Sequence, residues 1–175
     1  MNAIAQNTPL ELLALPELCD LLERDGHVRL DTELCLLDEL TRTAAERYTQ
    51  DEPRLLQVRA CFESLSTQLG QHLREEEESV FPLIRQVWGM QREPVSPCAS
   101  LKNSLQRMTQ AHFRAEELIG DLRVLVAVSM ERSTRTSVLR VIADALTRLE
   151  GKIHEQICAE NRVLFSRASP TRGAA

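Results

Sequence analysis

Four long stretches of this chain carry apolar residues at three- and four-residue spacing, and that period constrains the fold more than any other feature. They cover about residues 17–49, 54–88, 101–129 and 136–167. Each exceeds the ~12 residues at which helical periodicity becomes dependable, and the strict alternation of a half-buried strand occurs nowhere. Short breaks separate them: Asp51-Glu52-Pro53, the segment 91–100 with Pro94 and Pro97, and the Ser- and Thr-rich segment 129–136. Connections this short make sequential helices antiparallel neighbours. The expected fold is all-α, an up-down-up-down four-helix bundle over residues 16–168. Residues 1–15 are expected as an N-terminal arm or short helix and 169–175 as a flexible tail.

Composition agrees with one helical domain. Of 175 residues, 43% are hydrophobic and 27% charged, which supports a packed core and argues against disorder. Aromatic residues are only 3%, with six glycines and seven prolines, too few for the turns and aromatic strands of a sandwich or barrel. A formal charge of -5 speaks against a nucleic-acid partner held by phosphate neutralisation. No apolar run approaches the ~20 residues of a membrane span, and Met1 to Thr8 do not read as a secretory leader. Five cysteines, an odd number with no CxxC pair, fit reduced thiols better than a disulfide framework. These features predict a cytoplasmic monomer or homodimer that engages neither membrane nor nucleic acid.

The helix seams are mostly Leu, Ile and Val, and polar groups interrupt them. His27 opens the first seam, ahead of Leu30, Leu34, Leu37, Thr41, Ala44 and Tyr48. In the second, His72 and Glu76 lie between Leu69 and the pair Val80 and Leu83. His112 lies between Met108 and Ala115 in the third, and Gln156 and Glu160 between Ile153 and Val163 in the fourth. A core carboxylate costs several kcal/mol unless it is paired or binds a metal. Four residues bring His72 and Glu76 onto one helix face, and His112 and Glu116 repeat that spacing. Taken singly, a seam histidine is more often a hydrogen-bonded core residue than a ligand. Three histidines and two carboxylates on separate seams form a set of another kind, in which each helix offers a metal-capable group toward one axis. Mixed imidazole and carboxylate donors suit iron, and manganese or zinc less well.

An internal repeat reinforces the pattern. The stretch from His72 to Pro82 (HLREEEESVFP) aligns without a gap with that from Gln156 to Ser166 (QICAENRVLFS), 84 residues later. Both carry Glu four positions in and Phe nine positions in. Two hairpins with the same motif would build a pseudo-symmetric two-metal site, with Gln156 standing where the repeat calls for histidine.

The segment HLREEEESVFPLI resembles the H-x3-E-E-x2-(L/V)-F-P signature of the hemerythrin-like, HHE cation-binding proteins. ENRVLF resembles the E-N-x2-L-F close of their last helix. Within that superfamily the chain is most similar to the di-iron repair-of-iron-centres group, over roughly residues 16–168. The resemblance implies iron ligands at His27, His72, Glu76, His112 and Glu160, with the two glutamates bridging. It also implies handling of NO, O2 or iron itself in nitrosative or oxidative stress, with iron–sulfur or other iron proteins as partners.

The sequence departs from the group in three respects. It does not show the small Cys-containing N-terminal domain that members often carry. The last-helix histidine of the family falls on Gln156, a neutral and weaker ligand that binds through an amide oxygen. His154, two positions away, points about 200° round the helix and does not replace it. A further histidine of the group falls on Tyr48, which is about 31 Å along a continuous helix from His27 and reads as a packing residue.

The residues support two functional readings. The first is a cytoplasmic non-haem iron protein with one or two irons per chain, Gln156 and Glu116 serving as weak or outer ligands. The second, motivated by Gln156, is a sensor or interaction module with one metal or none. Both describe a metal-binding stress or sensor protein more than a conventional enzyme. There is no aromatic-lined sugar groove, no Glu-x-x-His pair of ferritin-like oxidases, no phosphate loop and no G-x-S-x-G.

Overall fold

The structure, a computed structural model, describes residues 9–89, 99–132 and 136–169. Among these residues there are only helices. A 3-10 turn at Leu10–Leu12 leads into the first long helix, made of α1 (Leu15–Leu21), a π-helical stretch (Leu22–His27) and α2 (Val28–Tyr48). The second consists of α3 (Arg54–Glu75), a π-helical stretch (Glu76–Val80) and α4 (Phe81–Gly89). The third is α5 (Ala99–Arg132). The fourth consists of α6 (Thr136–Cys158), a π-helical stretch (Ala159–Phe165) and a final turn, α7 (Ser166–Ala168).

Local chemistry explains several of these ends. The Ala14 N–H donates to the Glu17 carboxylate at 3.1 Å, and Pro16 falls in the first turn, where its missing N–H costs nothing. Between the first two long helices, the Asp51 and Glu52 amides bond the Tyr48 carbonyl at 3.1 and 2.8 Å. The Leu55 amide then bonds the Glu52 carbonyl at 3.1 Å, closing a tight turn around Pro53. The break expected over 129–136 is shorter than the sequence indicated, since α5 runs on to Arg132. Buried Ser129 is tolerated within the helix because its hydroxyl is satisfied by donating to the Leu125 carbonyl at 2.7 Å. Most of the loop expected over 91–100, most of the N-terminal arm, the last six residues of the tail and Cys98 lie outside the described residues. None of the four described cysteines is in a disulfide.

The long helices pack as a square, α2 against α3 and α6, and α5 against the same two. Two apolar clusters fill it. The larger includes Leu37, Phe62, Leu65, Leu122, Leu139 and Leu149. The smaller gathers Leu18, Phe81, Ile84, Leu101, Leu164 and Phe165 at the other end of the bundle. Each fully buried side chain of this size contributes about 1.5–3 kcal/mol relative to exposure. His27, His72, Glu76, His112, Gln156 and Glu160 are all buried, at the positions along each helix where one cluster gives way to the other.

The π-helical stretches shift the seams. A π turn adds a residue, which rotates the downstream part of the helix by about 100° relative to an uninterrupted α-helix. After Glu76 the inward face therefore passes to Phe81 and Ile84, both fully buried. Leu83, expected on the seam, is only half-buried at the edge of the smaller cluster.

Candidate metal centre

Each of the three π-helical stretches carries a residue of the polar layer. His27 closes the first, Glu76 opens the second, and Glu160 is the second residue of the third. Such insertions recur at functional sites because they re-aim side chains without breaking the helix. His72 and Gln156 sit one turn before the two glutamates, on α3 and α6, and His112 faces them from α5.

The side chains converge. His72 Nε2 is 3.0 Å from His112 Nε2 and 3.5 Å from Glu76 Oε2. His112 Nε2 is 2.9 Å from Glu160 Oε2. One donor atom from each of His72, Glu76, His112 and Glu160 falls within 4.8 Å of all the others. His27 stands beside this group, with Nε2 3.3 Å from the same Glu76 Oε2. The structure thus brings together all five residues that the sequence nominated, four of them around one point and the fifth across a shared carboxylate.

The donor set fits a cation. Both Glu76 oxygens, Glu160 Oε2, His27 Nε2 and His72 Nδ1 are buried without a hydrogen-bond partner. Orphaned carboxylate oxygens in a core are costly, and lone pairs about 3 Å apart repel unless a proton or a metal lies among them.

Electrostatics report the same tension. Burial, with the nearby Glu160 carboxylate, drives the Glu76 carboxyl well above the usual range, and His27 only partly opposes it. Burial disfavours a charged His27, but its contacts with Glu76 and Glu77 outweigh this and raise its pKa to about 9. Burial together with His112 and His27 lowers His72 to about 4, against the pull of Glu160.

Gln156 takes a different part from the others. Its amide nitrogen donates to Glu160 Oε1, so the amide acts on the carboxylate rather than offering its oxygen to the cluster. The residue is accommodated by Gly26: a Cβ built there would collide with the amide oxygen and stand 3.0 Å from Cδ. Glu116 does not join the cluster and is exposed. On α5 the buried stripe runs through His112, Ala115 and Ile119, and Glu116, about 100° past Ala115, falls beyond its edge. His154 is also exposed and pairs with Cys158, at 3.5 Å, away from the site. Tyr48 packs against the larger apolar cluster at the far end of α2.

Sequence reasoning missed Glu77, Asn161 and Gly26. Glu77 Oε1 is 2.7 Å from His27 Nδ1, and Asn161 Oδ1 is 3.1 Å from His112 Nδ1. Each directly follows a glutamate of the repeat, in the pairs Glu76-Glu77 and Glu160-Asn161, and that adjacency was the available signal. Two surface cavities approach the layer from opposite sides. One of about 600 Å3 between α3 and α5 reaches His72 past Glu75 and Arg107. The other, about 530 Å3, lies between the Leu22–His27 stretch and α6, lined in part by Gly26 and Gln156.

A four-helix square with a buried layer of histidines and glutamates is the architecture of a bundle-core metal protein. The model of the hemerythrin HHE cation binding domain matches residues 22–168, and the chain belongs to that family. Among known proteins it is similar to the iron-sulfur cluster repair protein ScdA of Staphylococcus haemolyticus (strain JCSC1435). They are 24% identical over 164 residues, which is 93% of this chain and 71% of ScdA. It is also similar to the iron-sulfur cluster repair protein YtfE of Salmonella paratyphi B (strain ATCC BAA-1250 / SPB7) and of Salmonella newport (strain SL254). In each case identity is 25% over 130 residues, covering 74% of this chain and 55% of the relative. The chain spans about half the length of the YtfE proteins it matches. No helix among the described residues is long and apolar enough to cross a membrane.

Proposed function

We propose that this protein binds non-haem iron in its His–Glu layer and serves in the repair of iron centres. The observation that carries this reading is the convergence of four buried His and Glu side chains in which both Glu76 oxygens and Glu160 Oε2 lack hydrogen-bond partners. His72, His112, Glu76 and Glu160 would hold one cation. A second, poorer position would have His27 with the same two glutamates and only Gln156 beside it. Bound iron supplies Lewis acidity and one-electron chemistry at that point.

The residues of the chain do the rest. The two apolar clusters keep water from the layer on both sides, so that the carboxylates favour a cation over solvation. Glu77 and Asn161 accept from Nδ1 of His27 and His112, keeping each Nε2 lone pair directed at the cluster. The cavities beside His72 and Gln156 offer small ligands such as NO or O2 an approach. Assignment to iron-centre repair, with an iron–sulfur protein as recipient, is supported by the similarity to the iron-sulfur cluster repair proteins ScdA and YtfE.

The test is anaerobic, iron-replete purification followed by iron analysis and an electronic spectrum, then incubation with an iron-depleted iron–sulfur protein. One firmly held iron, a weaker second and recovery of the recipient are expected. Protein that takes up no iron overturns the proposal. It would favour a second reading, a sensor or interaction module, for which the Gln156–Glu160 hydrogen bond speaks because it satisfies part of a carboxylate without a metal.

A further inference from the structure

The internal repeat has a structural meaning that goes beyond ligand supply. In the first half, one motif grips His27 at three points. Glu76 Oε2 is 3.3 Å from Nε2, Glu77 Oε1 is 2.7 Å from Nδ1, and the Phe81 ring stacks on the imidazole with centroids 5.5 Å apart. In the second half, the repeated motif grips His112 in the same way. Glu160 Oε2 is 2.9 Å from Nε2, Asn161 Oδ1 is 3.1 Å from Nδ1, and Phe165 stacks with centroids 5.8 Å apart. The residues correspond pairwise: Glu76 with Glu160, Glu77 with Asn161, Phe81 with Phe165, each 84 positions apart. The two gripped histidines, 85 positions apart, belong to the helices preceding each motif. The pseudo-symmetry therefore relates the first two long helices to the last two, and the three-point grip repeats with it.

Of the three gripping residues, only the partner of Nδ1 changes in chemical type. Behind His27 stands a carboxylate; behind His112 stands a neutral amide. We propose that Glu77 and Asn161 are positioning residues for the two histidines, and that their difference in charge makes the two metal positions electronically unequal. This rests on the cation-binding reading above. A carboxylate that accepts the Nδ1 proton makes Nε2 a stronger electron donor than an amide oxygen does, because the developing positive charge on the ring is met by a full negative charge. The asymmetry runs in a useful direction. His27 serves the position that has Gln156 in place of a second imidazole, so the half with the weaker ligand set has the better-supported histidine. Phe81 and Phe165 fix ring orientation in both halves and leave the Nδ1 partner as the variable.

The experiment uses the full chain loaded anaerobically with ferrous iron, in wild type and in Glu77→Leu, Glu77→Gln and Asn161→Asp. Affinity is read by competition with a chelator; the iron spectrum and midpoint potential are read on the same samples. Glu77→Leu, which leaves Nδ1 without an acceptor, should weaken the more weakly held iron 10- to 100-fold. Glu77→Gln keeps an acceptor and should recover part of that loss while raising the midpoint potential. Asn161→Asp should tighten the other position and lower its potential. A purely structural role would leave spectrum and potential unmoved wherever the protein folds. If Glu77→Gln and Asn161→Asp match wild type in affinity, spectrum and potential, the proposal is overturned, whatever Glu77→Leu does to folding. If wild type itself takes up no iron, the binding reading fails first and this inference falls with it, so the two failures are distinguishable.

Discussion

Replacing Gln156 with histidine should act in opposite directions on the metal-free and metal-loaded protein. In the free protein, the Gln156 amide satisfies one oxygen of Glu160, a carboxylate with no exposure to solvent. Removing that bond costs about 1 kcal/mol, or somewhat more because the acceptor is charged. In the loaded protein, an imidazole one turn before Glu160 would complete the position that His27 serves. Changes in groups behind a ligand alter metal affinity ~10–100-fold, so a gained ligand should add at least that, about 1.4–2.7 kcal/mol. Space for the ring exists because Gly26 has no Cβ on the side where the Gln156 amide now rests. The assay has two arms: urea unfolding of metal-free protein, and anaerobic titration with ferrous iron against a competing chelator. Gln156→His should lower the first by about 1 kcal/mol and move iron content from near one toward two per chain. Unchanged stoichiometry and affinity would refute the account of a weakened half-site. Gly26→Ala supplies a control in the other direction, since its methyl group displaces the amide and should cost metal-free stability without creating a ligand.

Other expectations are more direct. His72→Ala or Glu76→Ala should remove most bound iron, whereas Glu116→Ala and His154→Ala, at exposed positions, should leave iron content unchanged on elemental analysis. Ferrous iron at a hundredfold excess over its Kd should stabilise the fold by about 2.7 kcal/mol, seen as a rise in Tm. Metal-free protein should lose stability between pH 6.5 and 9: His27, raised to about 9, contributes fully below its unfolded value and loses the contribution as pH rises. The loss from His27 amounts to about 3 kcal/mol by urea titration across that window. Leu37→Ala, in the larger cluster, should cost about 2–5 kcal/mol of unfolding free energy while leaving iron stoichiometry intact.

Much of this architecture could be read along the chain, because a helix seam is a local property: three or four residues bring two side chains onto one face whatever the rest of the molecule does. The four stretches and the polar interruptions at His27, His72, Glu76, His112, Gln156 and Glu160 come from that period, and Asp51-Glu52-Pro53 marks the turn where it breaks. Which helices face each other does not come from it, and neither does the point where a helix takes in an extra residue. The π-helical stretch after Glu75 carried the inward face to Phe81 and Ile84 instead of Leu83. The spacing that links His112 to Glu116 is the same as that of His72 and Glu76, yet Glu116 is exposed because the buried stripe of α5 continues through Ala115 and Ile119. Partners of Nδ1 were invisible for the same reason. Glu77 and Asn161 reach histidines 50 and 49 residues away, and only the packing of neighbouring helices sets such distances. The direction of the Gln156 amide, toward Glu160 and over Gly26, likewise depended on what the adjacent helix left open. Periodicity determined which residues the bundle would bury, and tertiary packing decided what each of them would touch once buried.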